Sequence, residues 1–366
     1  MKNRNLFKIT KNLIYLNHAS TGIMPEPAVK KMVSVINDFQ LQGDPGIEYQ
    51  NKILNACRER IAALLNGKPE NVAFTSNTSQ AIYIALVNIP FKTGDEIIVM
   101  EECFPAAKYI AEYNIPKITV KYLSFSEKNP VEVVANAINK KTRAVIVDYV
   151  QYFTGEKLPL RELSDYLRKK GIFFIVDGIQ ALGSIDIDVV SEKVDIFACG
   201  GSKWLNGPHG TGFFYISPYI FERMKKVHTG WLGAPWKNFN DFSILPEPFR
   251  DGRRFELGTR NIIGIAGLSE SIKLILDYGP KNIEGKIGRL NTILLNGLKE
   301  KKYQILTPED RIAGIVTARP KNSTAENVYN RLKENKIIIS LRNNALRFSP
   351  HFYNTEEEID LVLKVI

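Results

Sequence analysis

Between residues 70 and 216, short β-branched and aromatic runs alternate with segments of helix length, and this alternation constrains the chain more than any other feature. The strand-sized runs lie at 72–75, 97–100, 118–123, 144–147, 172–176, 196–198 and 212–216. Several are apolar throughout, so both faces of their sheet must be covered. The pattern predicts an α/β fold: a mainly parallel seven-stranded sheet wrapped by crossover helices. One helix is well marked. Leu160, Leu163 and Leu167 share a face, Arg168, Lys169 and Lys170 close it near the negative dipole end, and Gly171 can take the left-handed cap.

Beyond about residue 262 the pattern changes to longer helices with a few strands, which predicts a smaller α+β domain. Ser323-Thr324-Ala325-Glu326 and Thr355-Glu356-Glu357-Glu358 read as capping boxes that open helices running to Lys333 and Val365. The stretch 228–254 is rich in Gly, Pro and Trp and reads as the junction. With 366 residues there is room for two domains of roughly 150 residues or more. We expect an N-terminal segment over 1–30 that can pack on either domain, a large domain over 31–255 and a small C-terminal domain over 256–366.

Lys and Arg number 49 against 39 Asp and Glu, a net charge of +10 that favours anionic partners. The basic residues are dispersed, with Lys140, Lys141 and Arg143 as dense as any cluster, and no nucleic-acid-binding motif surrounds them. Nucleic acid is not expected as a partner. The three cysteines, Cys57, Cys103 and Cys199, lack metal or disulfide spacing, which suits a reducing, cytoplasmic setting. No secretory h-region and no apolar run of about 18 residues is present, so neither export nor membrane insertion is expected. His18, His209, His228 and His351 form no H-E-x-x-H, and no serine lies in G-x-S-x-G. Gly200-Gly201-Ser202-Lys203 is followed by Trp204 and is not a phosphate-binding P-loop; a metal site is not expected either.

Four elements do combine. The run 172–176 ends in Asp177, a carboxylate at the carboxyl edge of the sheet, where open α/β folds bind ligands. Lys203 follows one strand later, flanked by Gly200, Gly201, Gly207, Gly210 and Gly212, which let backbone pass close to a bulky planar ligand. Thr75-Ser76-Asn77-Thr78-Ser79-Gln80 opens a helix whose free N–H groups suit an anion. Phe104 follows the run 97–100 and can offer an aromatic face at the same edge. Each has an ordinary alternative: an Asx turn at Asp177, a surface charge at Lys203, a plain N-cap at Asn77 or Thr78, a core ring at Phe104. Together they meet the four demands of pyridoxal 5'-phosphate (PLP): an amine for its aldehyde, a carboxylate for its ring nitrogen, a phosphate site and a stacking ring.

Here the chain resembles the class V branch of the fold type I PLP enzymes. That family holds cysteine desulfurases, selenocysteine lyase, kynureninase, isopenicillin N epimerase-like proteins and several aminotransferases. The similarity runs from Tyr15-Leu16-Asn17-His18 to the C-terminal helix. It is most specific in Val176-Asp177-Gly178-Ile179-Gln180-Ala181-Leu182-Gly183 and in the stretch from Gly201 through Lys203 and Trp204 to Gly212. By that resemblance Lys203 forms the Schiff base with PLP and then acts as the base at the α-carbon, with Asp177 on the pyridine nitrogen. Gln180 bonds the ring's phenolic oxygen, Phe104 stacks on the ring, and Asn77, Thr78 and Ser202 serve the phosphate. Trp231 and Thr259 are implied to complete the phosphate site of a neighbouring subunit, so a homodimer with shared active sites is expected. Arg347 is implied to grip the α-carboxylate of an amino acid substrate, with Gln151 and His18 on the substrate side.

Desulfurases of the family place a reactive cysteine on a loop shortly before that arginine, and residues 340–346 contain none. The most direct expectation is therefore an aminotransferase. Isopenicillin N epimerase-like, kynureninase-like and cysteine or selenocysteine lyase activities remain alternatives, as does a catalytically inactive binding module of the same fold.

Overall fold

The computed structural model describes residues 3–125, 129–225, 229–236 and 242–366. The seven runs become one sheet, with small shifts at their ends. After a two-residue strand β1 (Ile14–Tyr15) come β2 (Val72–Thr75), β3 (Glu96–Met100), β4 (Thr119–Leu123), β5 (Thr142–Asp148), β6 (Phe173–Asp177), β7 (Ile196–Gly200) and β8 (Gly212–Ile216). Their order across the sheet is β2-β8-β7-β6-β5-β3-β4. Only β8 runs against its neighbours, because the loop from Gly200 to Gly212 turns the chain back without a crossover helix.

Helices α1 (Glu26–Gln42) and α2 (Ile47–Leu64) precede the sheet, and α3 (Thr78–Asn88), α4 (Pro105–Asn114), α5 (Pro130–Ala137) and α6 (Leu160–Lys169) cross between its strands. Strands β3, β6, β7 and β8 are buried at every residue, as uniformly apolar runs require, whereas β4 lies at an edge and is partly exposed. Helix α6 buries Leu160, Leu163 and Leu167, and Gly171 follows it at φ +67° with its N–H on the Arg168 carbonyl.

A short α7 (Pro218–Phe221) leads into residues 229–236 and 242–254, which are irregular apart from two 3₁₀ turns; His228 lies outside the described residues. The chain then forms α8 (Ile262–Tyr278), α9 (Pro280–Glu300), β9 (Gln304–Ile305), β10 (Val316–Arg319), α10 (Ala325–Glu334), β11 (Ile337–Ile338), β12 (Ser340–Arg342), β13 (Ala345–Phe348) and α11 (Glu356–Val365). An antiparallel sheet of order β12-β13-β10-β9 has two unlike faces, as strand periodicity dictates. Val316, Ala318, Leu346 and Phe348 point into a core built with Leu290, Leu294, Val328, Leu332, Ile359 and Val362. Thr317, Arg347 and Ser340 stand in register on the opposite face.

The N-terminal segment joins both cores. Ile14 and Tyr15 pair in parallel with β11, Leu16 enters the smaller core, and Phe7 and Ala19 enter the larger. Helix α11 starts with the reciprocal Thr355–Glu358 capping box. Helix α10 does not follow the expected Ser323–Glu326 pattern. Thr324 is its cap, accepting the Asn327 N–H, so Glu326 falls one position too early to bond back.

Gly178, directly after Asp177, has no room for a side chain, since a Cβ there would collide with the ring of the fully buried Phe197. Gly178→Ala should therefore cost about 1–3 kcal/mol of stability by overpacking, measured as a fall in the urea midpoint with an unchanged m-value.

Candidate active site

Strands β5, β6 and β7 run in parallel, so their carboxyl ends open on one edge of the sheet. Asp177 ends β6 at 4% exposure. Its Oδ1 accepts the Ile179 N–H at 2.9 Å, a local turn that leaves Oδ2 without a hydrogen bond among the described residues. Burial raises its carboxyl to about 6, against the pull of that N–H and of Lys203. Lys203 is half-buried on the loop after β7. Desolvation pushes its amine down to about 8; Asp177 and Asp148 oppose the shift, while Arg347 adds to it. An amine so placed keeps a neutral fraction near neutral pH, which a nucleophile or a proton-accepting base requires.

The loop carrying Lys203 is clasped from behind by the N-terminal segment. Gly22 donates its N–H to the Ser202 carbonyl at 2.7 Å, and a Cβ at Gly22 would strike the Lys203 carbonyl. Ser202 itself is half-buried. The ring of Phe104 lies with its centroid 5.5 Å from Lys203 Nζ and remains 43% exposed, so it has a free face instead of a core role. Phe104 caps α4, and its N–H reaches Asp148 Oδ2 at 3.1 Å.

On the other side, α3 begins beside the glycine loop. A Cβ at Gly200 would lie 3.1 Å from Thr78 Oγ1, and one at Gly212 would lie 2.9 Å from Asn77 Cα. Asn77 is the N-cap, with Oδ1 accepting the Gln80 N–H at 2.8 Å. The N–H groups of Thr78 and Ser79 meet no acceptor among the described residues and form the positive end of the helix.

Arg347 is 2% exposed and donates to the Tyr152 carbonyl at 2.6 Å, Ser20 Oγ at 2.7 Å and Ser340 Oγ at 3.3 Å. No carboxylate pairs with it among the described residues, and its buried Nε has no partner. Burial lowers its guanidinium to about 10, with Arg342 adding to the effect. The hairpin that carries it turns through Asn343 and Asn344 at φ +46° and +58°, braced by Arg319 bonds to both carbonyls.

Other expected residues stand elsewhere. Gln180 donates Nε2 to the Ala19 carbonyl and accepts from Trp204 Nε1, both at 2.9 Å, which leaves one amide hydrogen uncommitted. Gln151 folds its own turn, with Oε1 accepting from Phe153 N, Thr154 N and Thr154 Oγ1. The structure does not bring His18 into the cleft: it is fully buried, with Nδ1 at 2.9 Å from the Ser349 carbonyl and Nε2 at 2.7 Å from Tyr353 Oη. The carbonyl fixes Nδ1 as the protonated nitrogen, and burial keeps the ring neutral. Thr259 is exposed and lines a cleft with Ser76, Gln80 and Gly210 beside the start of α3, while Trp231 lies against Gly258.

Three contributors escaped the sequence reading. Asp148 ends an apolar strand as Asp177 does, so the same signal was present. Ser79 lies within the polar cluster already noted. Ser20 carries no local signal, because its contact with Arg347 spans nearly the whole chain.

The aminotransferase class-V family model matches residues 14–362. The chain belongs to that family. It is 24% identical to an uncharacterized aminotransferase, YcbU, of Bacillus subtilis over 97% of this chain and 94% of that protein. It is 26% identical to isopenicillin N epimerase of Streptomyces clavuligerus over 98% of this chain and 95% of that one. Among solved structures, a lysine-to-alanine variant of C-DES with glycine covalently linked to its PLP cofactor superposes with a TM-score of 0.92 at 24% identity, covering 99% and 98% of the two chains. The fold is thus PLP fold type I, the cofactor is pyridoxal phosphate, and the chain is an enzyme of the PLP-dependent class V family. The site fits that cofactor: a desolvated amine, a half-exposed ring beside it, a buried carboxyl and open helix N–H groups surround a loop whose glycines leave no space for side chains.

The Asp177 carboxyl titrates at about 6 when folded against an ordinary 3.8. Its contribution to stability is therefore present below the lower value and is lost as pH rises through the higher one. In cofactor-free protein, wild type should lose stability relative to Asp177→Asn between about pH 4 and pH 6, with a constant difference above, read from urea melts at each pH.

Proposed function

We propose that this chain is a homodimeric, cytoplasmic aminotransferase acting on an amino acid whose α-carboxylate is received by Arg347. The observation that carries this reading is the buried Arg347 guanidinium, without an acidic partner among the described residues, close enough to Lys203 to depress its amine. A buried cation lacking a countercharge is costly, and a substrate carboxylate supplies the missing charge through two parallel N–H bonds.

Within this reading Lys203 would hold the cofactor by its aldehyde and would serve as the base that takes the amino acid's α-proton and returns it to another carbon. PLP supplies an electron sink for the carbanion formed at the α-carbon. Asp177 would hold a proton on the ring nitrogen, Phe104 would lie on the ring, Gln180 would offer its remaining amide hydrogen, and Asn77, Thr78 and Ser202 would border the phosphate. Thr259 and Trp231, adjacent on the surface, reach the phosphate of the partner's site. Gln151 positions its own turn, and His18 locks the N-terminal segment behind the lysine. We also propose a large domain over 31–255, a small one over 256–366, and a segment 1–30 that bridges them.

Persulfide chemistry on the protein is disfavoured. Cys57, Cys103 and Cys199 are buried, burial raises all three thiols, Cys57 to about 12, and the Arg342 to Ala345 turn bears no thiol.

Purified protein should be coloured, and Lys203→Ala should abolish cofactor attachment fixed by borohydride. Arg347→Ala should lower kcat/KM at least about a hundredfold, near 3 kcal/mol for a charge-assisted pair, while cofactor uptake persists. Product analysis decides the reaction: a keto acid with an amino-acceptor dependence supports transamination, whereas an inverted amino acid or a released β-substituent overturns it. Activity retained after replacing all three cysteines confirms that no thiol takes part.

A further inference from the structure

Asp148 has no place in the reading above, yet it is the second buried acid at the same strand edge. Strands β5 and β6 pair in register with Asp148 opposite Asp177, so the two side chains leave the same face one strand spacing apart, about 4.8 Å. Both are nearly inaccessible. Each accepts one backbone N–H, from Phe104 and from Ile179 respectively. The remaining oxygens differ. Among the described residues neither has a hydrogen-bond partner, but only Asp148 Oδ1 is also sealed from water.

Two carboxyls this close in a buried setting do not both ionise. An ionised oxygen without a donor costs more than a neutral one, so the shared proton belongs on the acid with the orphaned atom. We propose that Asp148 is a positioning residue that stays a neutral carboxylic acid at physiological pH, seats Phe104 through its backbone N–H, and leaves Asp177 as the single ionised acid facing the cofactor's ring nitrogen. This rests on the assignment of Asp177 to that nitrogen.

The surrounding charges agree. Asp177 from β6, Lys203 from the loop after β7, Lys108 from α4 and the thiol of Cys103 bear on the pair, and Cys199 from β7 faces Asp177. Burial, then the Asp177 charge, raises Asp148 well above the carboxylate range, and the two lysines do not offset this. With Asp148 neutral, Asp177 is the acid that faces these amines. Phe104 lacks a side-chain cap on α4, so the Asp148 oxygen is what fixes the backbone that carries the ring.

The test uses holoenzyme of wild type, Asp148→Asn, Asp148→Ala and Asp177→Asn. Asparagine reproduces the neutral acid, so Asp148→Asn should keep the pH midpoint of the cofactor's visible band within about 0.3 of wild type, whereas Asp177→Asn should move it by about 1 unit or more. The infrared stretch of a protonated buried carboxyl at pH 7 should vanish in Asp148→Asn and persist in Asp177→Asn. Asp148→Ala, which releases the Phe104 N–H, should weaken PLP binding by about tenfold in equilibrium dialysis, with Asp148→Asn nearly unchanged. A midpoint displaced by about a unit in Asp148→Asn, or an infrared band lost only in Asp177→Asn, overturns the proposal while the site reading stands. Should Asp177→Asn match wild type in every readout, the assignment of Asp177 fails with it.

Discussion

Keeping an amine, a guanidinium and two carboxyls out of water at once is the constraint on which the cleft depends. Isolated charges in such a place would each cost several kcal/mol. The chain meets the constraint by distributing them: the acids on parallel strand tips, the amine on a glycine loop between them and the guanidinium, and the guanidinium fixed by neutral oxygens instead of a carboxylate. The result is a site whose groups are shifted toward one another's range. Asp177 is raised to about 6 and Lys203 lowered to about 8, each mainly by burial. Small changes in local charge therefore alter protonation near neutrality, where acid–base chemistry at a carbon next to an amine has to operate.

That distribution is built on three pieces distant in sequence. The sheet edge supplies Asp148 and Asp177, the loop after β7 supplies Lys203, and the β12–β13 hairpin supplies Arg347. The N-terminal segment joins them. Ala19 receives Gln180, Ser20 receives Arg347, and Gly22 fastens to Ser202, so residues 19–22 tie the turn after β6, the hairpin arginine and the lysine loop together. His18 closes the arrangement from behind, tied to the Ser349 carbonyl and to Tyr353 in the C-terminal region. A segment of two 3₁₀ turns and one short strand thus helps to set the geometry of the site.

What could be read from the sequence follows from the range of the interactions. The seven strands were legible because uniformly apolar runs admit few other arrangements, and Asp177, Lys203 and Phe104 because each closes or follows such a run; Arg347 was indicated only by the family resemblance. Asp148 ended a run by the same rule, and only its lack of a matching family motif hid it. Ser20 and Gly22 were not legible, since their roles arise from contacts with residues far away in the sequence. The cap of α10 was misplaced by one residue because Ser323 and Thr324 are both competent N-caps, and only backbone geometry chooses between them.

The turn at Asn343 and Asn344 also limits how far the arginine strand beside it can move. Two left-handed residues braced by Arg319 make a rigid tip with no length to spare, so this edge of the cleft carries no swinging arm. The strand that carries Arg347 is thereby held on both sides, by β10 and β12, and its guanidinium stands at a fixed place in the sheet.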